Sequence, residues 1–90
     1  MCGIAGCWNK DGAPRNITEH MIGAIKHRGP DSQGYFNDDK VYLGNCRLSI
    51  IDLKTGDQPV FNEDKTTVLV FNGEIYNFLE IREKLLKRGH

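Results

Sequence analysis

At 90 residues the chain is one domain at most, below the common domain size of roughly 100–150 residues. Its 12 Lys and Arg balance its 12 Asp and Glu, which excludes the basic footprint of a protein that binds nucleic acid or anionic lipid. The composition, 39% hydrophobic and 27% charged, is that of a globular chain, and no apolar run approaches a membrane span. A chain of this length buries only about 60–65% of its unfolded surface, so its core is expected to be marginal.

In chain order, residues 2–8, apolar and small, read as a strand. Asn9 to Pro14 is a turn built on Asp11-Gly12. A helix is expected from Asn16 to Lys26, with Asn16 as N-cap, Glu19 completing a capping box, and Ile17, Met21, Ala24 and Ile25 as its apolar face. The string His27-Arg28-Gly29-Pro30-Asp31-Ser32 ends it, because a residue before proline is pushed out of the helical region. Short strands are expected next at about 34–37, 41–44, 46–52, 59–61 and 66–71, punctuated by Asp38–Lys40, Lys54–Asp57 and Asn62–Lys65. Their spacing predicts an antiparallel meander. A second helix opens at Asn77 with Glu80 three residues later, carries Phe78, Ile81, Leu85 and Leu86 inward, and stops at Gly89. Lys84, Lys87 and Arg88 suit the negative end of its dipole. Segregated helices and strands make the fold class α+β, with its layers unfinished.

Cys2, Cys7 and Cys46 are an odd set with no secretory leader before them, so free thiols in a reducing cytoplasm are expected. Their spacing fits no zinc set, and His20, His27 and His90 show no ligand spacing either, so no metal site is expected. Cys7 and Cys46 read as inert packing residues. Cys2 differs. Removal of Met1 would leave a thiol and a free α-amine on one residue, and an amine titrating near 7.7–8.0 can deprotonate that thiol. Taken alone, Met1-Cys2-Gly3 reads rather as the start of a plain strand with Cys2 a small buried residue.

Asn72-Gly73 allows two readings. A carboxamide N–H and the next backbone N–H can converge as an oxyanion hole, whereas Asn-Gly is also a strong hairpin signal. Glu74 and the residues after it lead into a helix rather than a return strand, which weakens the hairpin account. Arg47, ahead of Leu48-Ser49-Ile50-Ile51, suits bidentate grip of a carboxylate or a salt bridge with Asp52 or Glu74. Arg28-Gly29-Pro30-Asp31 reads as a structural turn. No phosphate-binding glycine loop is present.

In series these strings carry more than any one alone. Met1-Cys2-Gly3-Ile4-Ala5-Gly6, His27 to Asp31, Arg47 to Leu53, Gly56-x-Gln58-Pro59 and Asn72 to Asn77 together resemble, over residues 1–90, the start of the glutaminase domain of class II glutamine amidotransferases, in its asparagine synthetase branch. The resemblance implies an N-terminal-nucleophile hydrolase fold, an αββα sandwich that is incomplete here, and hydrolysis of the glutamine side-chain amide to glutamate and ammonia. It implies Cys2 as nucleophile, its freed amine as base, and the Asn72 side chain with the Gly73 N–H as oxyanion donors. Arg47 would hold the glutamine α-carboxylate, Glu74 would contact its α-amino end, and backbone around Ile50 would line the substrate. Histidine is frequent in the family where Asn45 stands.

The family's further glutamine-binding aspartate and its synthetase domain lie beyond the matched stretch. This chain is therefore expected to be the N-terminal part of a larger enzyme and weakly active or inactive alone. No cofactor is expected for it, ATP and Mg2+ belonging to the synthetase domain that would be its partner and use the ammonia to make asparagine. The alternatives are a non-catalytic glutamine-binding remnant or an amidotransferase fragment with another acceptor. An oligomer is compatible with either.

Overall fold

The computed structural model describes residues 2–12, 14, 16–49 and 56–90. Strand β1 (Gly3–Trp8) is followed by helix α1 (Ile17–Ala24), a 3₁₀ turn (Lys26–Arg28), and strands β2 (Ser32–Asn37) and β3 (Val41–Arg47). Strands β4 (Val60–Phe61) and β5 (Val68–Leu69) and helix α2 (Phe78–Lys87) complete the order. The elements are a mixed α and β set with antiparallel sheets.

The expected meander is replaced by two separate sheets. In the larger, β3 lies between β1 and β2 and is antiparallel to both, while β4 and β5 pair only with each other. The first strand thus skips its neighbour in sequence to pair with β3, a choice that no local signal carries. The runs expected at 41–44 and 46–52 join through Asn45 into one strand ending at Arg47, and 50–52 lie outside the described residues. Asp38 sets the β2–β3 turn: its carboxylate accepts from the N–H groups of Lys40 and Val41, each at 2.7 Å.

The two faces of the larger sheet are covered differently. Side chains alternate across a strand, so Tyr42, Gly44 and Cys46 face α1. A Cβ at Gly44 would sit 2.6 Å from Ile22 Cγ1 and 2.7 Å from Thr18 Cγ2. The helix therefore seats directly on the bare glycine, and Ile22 and Thr18 become its buried residues at 0% and 3% exposure. This corrects the expected apolar face. Ile17, Met21 and Ile25 are half-buried and Ala24 is exposed, because the closest approach is centred on Gly44. On the other face the Gln58-Pro59 segment crosses Gly34, which has no Cβ to obstruct it, and Phe36 meets Phe61 edge-on with ring centroids 5.9 Å apart.

Both helices begin at the expected asparagines, Asn16 and Asn77, but neither side chain makes a capping hydrogen bond, so neither expected capping box forms. Helix α2 instead carries Lys84–Glu80 and Lys87–Glu83 ion pairs and ends as expected at Gly89, where φ is +92°. Its expected inner residues Phe78, Ile81, Leu85 and Leu86 are all exposed. Among the described residues nothing covers that stripe.

Candidate active site

Cys2 leads into β1 at the end of the sheet where β3 finishes. The register pairs Gly3 with Cys46 and Ile4 with Asn45; extended by one residue, it sets Cys2 across from Arg47. Cys2, Arg47 and Asn45 therefore share the face opposite α1. The Cys2 Sγ accepts from the Leu48 N–H at 3.4 Å and lies 3.8 Å from the Leu48 carbonyl oxygen. A close approach underlies this arrangement. A Cβ on Gly3 would fall 3.0 Å from Cys46 Sγ, so glycine at 3 lets the chain lie against a buried thiol that itself donates to the Ile25 carbonyl at 3.3 Å.

The backbone carbonyl of Cys2 is held by two distant side chains. Asn72 Nδ2 donates to it at 2.9 Å across 70 residues of sequence, and Arg28 Nε donates to it at 3.2 Å. An amide nitrogen carries two hydrogens, so Asn72 has one left to offer in the same corner. The N–H of the neighbouring Gly73 donates to no acceptor among the described residues. Cys2 and Asn72 are thus brought into direct contact, and Gly73 follows Asn72 in the chain.

Arg47 is 7% exposed at its side chain, and its Nη1 lies 3.1 Å from Asp57 Oδ1. The expected salt-bridge partners were Asp52 and Glu74. Asp52 is outside the described residues, whereas Glu74 is exposed and makes no ion pair among them. Ile50 is also outside the described residues. Asn45 is 2% exposed, and its Nδ2 has no hydrogen-bond partner among the described residues.

The string Arg28 to Asp31 is the scaffold of this corner. Gly29 is buried against β3, where a Cβ would come 2.5 Å from the Cys46 carbonyl and 2.6 Å from Arg47 N. Asp31 N donates to the Arg47 carbonyl at 2.9 Å, and the Asp31 carboxylate accepts from Ser49 N at 2.7 Å. The turn thereby fixes the strand end that carries Arg47, and through Arg28 it also reaches Cys2. Sequence reasoning identifies it as structural but misses the Arg28 contact, because contact with a residue 26 positions away is set by the β1–β3 pairing. Asp57 escapes notice because its contact with Arg47, 10 positions away, is set by the tertiary fold and not by local sequence.

Carboxyls with displaced titration sit in turns instead. The Lys40 and Val41 N–H groups hold Asp38 below the usual carboxylate range, the Thr66 side chain does so for Asp64, and His90 for Glu63. A cleft of about 420 Å³ lined by Asn37, Asp38, Asp39 and Tyr42 lies at the opposite end of the sheet from Cys2. No group of three or more potential metal ligands gathers among the described residues, and no described helix is long and apolar enough to cross a membrane.

Residues 1–90 match the family model described as a glutamine amidotransferase domain. Over its whole length the chain is 46% identical to glutamine-hydrolysing asparagine synthetase 1 of Bacillus subtilis, and over 94% of it, also 46% identical to glutamine-hydrolysing asparagine synthetase 1 of Arabidopsis thaliana. The second such synthetase of Bacillus subtilis is again 46% identical over 94% of the chain. The chain spans 15% of the length of the first two relatives and 12% of the third.

Proposed function

The chain belongs to the glutamine amidotransferase domain family, and from that premise we propose that it hydrolyses the side-chain amide of glutamine through a thioester on Cys2. The observation that carries this reading is the 2.9 Å hydrogen bond from Asn72 Nδ2 to the Cys2 carbonyl, which joins the proposed nucleophile to a proposed oxyanion donor.

With Met1 removed, the Cys2 α-amine takes the thiol proton as Sγ attacks the amide carbon of glutamine. The oxyanion that forms is met by the second hydrogen of Asn72 Nδ2 and the N–H of Gly73, a pair worth roughly 10²–10³ in rate per donor. Collapse expels ammonia, which leaves with the proton from the α-ammonium group, and the acyl group stays on sulfur as a thioester. Water then hydrolyses the thioester to glutamate, with the amine as base again. Arg47, buried and across from Cys2, grips the α-carboxylate, and Glu74 faces the α-ammonium group. The family relation supports a lining role for Ile50, which lies outside the described residues.

The family relation supports an N-terminal-nucleophile sandwich. Helix α1, the larger sheet and the β4–β5 pair would form three of its four layers. The remainder would come from a longer polypeptide in which a synthetase domain uses the released ammonia with aspartate and ATP. The test is glutamate release from glutamine by the intact protein, with mass spectrometry of the N-terminus. Turnover that requires Met1 removal, and that disappears in Cys2→Ala with the fold retained, is the expected result. Undiminished turnover in Cys2→Ala would end this reading.

A further inference from the structure

Arg47 and Asp57 form an ion pair of unequal partners. The arginine side chain is 7% exposed and fixed at the end of β3, whereas the aspartate side chain is 78% exposed. Asp57 has no other hydrogen bond or ion pair among the described residues, so a single contact of 3.1 Å holds its carboxylate in place. An exposed carboxylate tethered in this way swings into water at small cost, because such pairs are weak against solvation. The buried guanidinium has no comparable freedom. A carboxylate on Arg47 is also what the proposed substrate must supply, and two carboxylates crowded on one guanidinium repel each other.

We propose that Asp57 is an internal stand-in for the substrate α-carboxylate on Arg47, displaced when glutamine binds, and therefore a residue that sets glutamine affinity. The inference rests on the reading of Arg47 as the carboxylate grip. Asp57 occupies the Nη1 corner of the buried arginine until a ligand carboxylate arrives. It withdraws as the ligand's carboxylate arrives, so every binding event includes the loss of the Arg47–Asp57 contact. Removing the stand-in should tighten binding, whereas a residue that oriented Arg47 for its ligand would weaken binding on removal.

The experiment is calorimetric binding to the intact protein carrying Cys2→Ala, which prevents turnover. Two probes are used: glutamine, and glutaminamide, whose α-carboxylate is replaced by a neutral carboxamide. Asp57→Asn and Asp57→Ala are expected to lower Kd for glutamine roughly two- to fivefold, the range of an exposed ion pair, and to leave Kd for glutaminamide unchanged. Asp57→Glu, which keeps a carboxylate within reach, should stay near the parent. An unchanged or raised Kd for glutamine, an equal gain for both probes, or no glutamine binding at all would overturn the proposal. The hydrolase reading is judged separately, by glutamate release from the protein with Cys2 intact.

Discussion

Gly29→Ala tests whether the turn before β2 supports the nucleophile. The added Cβ would lie 2.5 Å from the Cys46 carbonyl carbon and oxygen, about 0.9 Å inside an ordinary 3.4 Å contact. Those neighbours are backbone of the central strand and cannot swing aside, so the turn must lift. A lift of that size would stretch the 3.2 Å Arg28–Cys2 bond and the 2.9 Å Asp31–Arg47 bond beyond hydrogen-bonding range. It would also strain the charge-assisted Ser49–Asp31 bond. Overpacking and lost hydrogen bonds of this kind cost about 3 kcal/mol together, roughly a hundredfold in the folding equilibrium.

Glutamine turnover should fall further than the unfolded fraction explains, since the Cys2 carbonyl loses one of its two donors. Gly23→Ala is the matched control: a Cβ there meets nothing within 4 Å. Inside a helix the same chemical change should stabilise by up to ~0.5–1 kcal/mol. Urea unfolding of both variants, with glutamate release measured on the folded fraction, reads out the two effects. Equal stability changes in the two variants, or full activity in Gly29→Ala, would refute the reasoning.

Two further outcomes are expected. Asn72→Ala should lower kcat for glutamine roughly 10²- to 10³-fold with KM little changed, because its donor acts on charge that develops in the transition state; a loss confined to KM in steady-state kinetics would argue against the oxyanion role. Asp38, whose folded-state titration is depressed chiefly by the Lys40 N–H and then by that of Val41, stabilises the β2–β3 turn above its unfolded value near 3.9 and loses that contribution as pH falls through its lower folded value. An NMR titration of its carboxyl carbon should therefore give a midpoint below the ordinary aspartate value, and a midpoint at or above it would contradict the turn geometry.

The local elements were largely legible. The β1 run, the α1 and α2 spans, the Asp38 turn and the Gly89 stop are each written in a few adjacent residues, since periodicity, turn chemistry and positive φ act over one or two turns of chain. The capping boxes were not, because Asn16 and Asn77 have the right type and spacing but make no capping bond. The meander failed because pairing partners are chosen by packing, and Ala24 was misplaced because the seat of α1 depends on Gly44, 20 positions downstream.

For the candidate site, Cys2, Asn72, Gly73, Arg47 and Glu74 are nominated by the series of strings that resembles a known family, since residue type alone leaves a structural reading open for each of them. Composition likewise settled the balanced charge and the absence of a long apolar run. What the chain order left open was adjacency. Folding alone brings Asn72 and Arg28 onto one carbonyl oxygen, sets Asp57 beside the buried Arg47, and makes a plain turn at Gly29 the support for a strand end. The physical reason is reach: hydrogen bonds and close packing act over a few ångströms, and only the tertiary fold decides which distant residues come within that range.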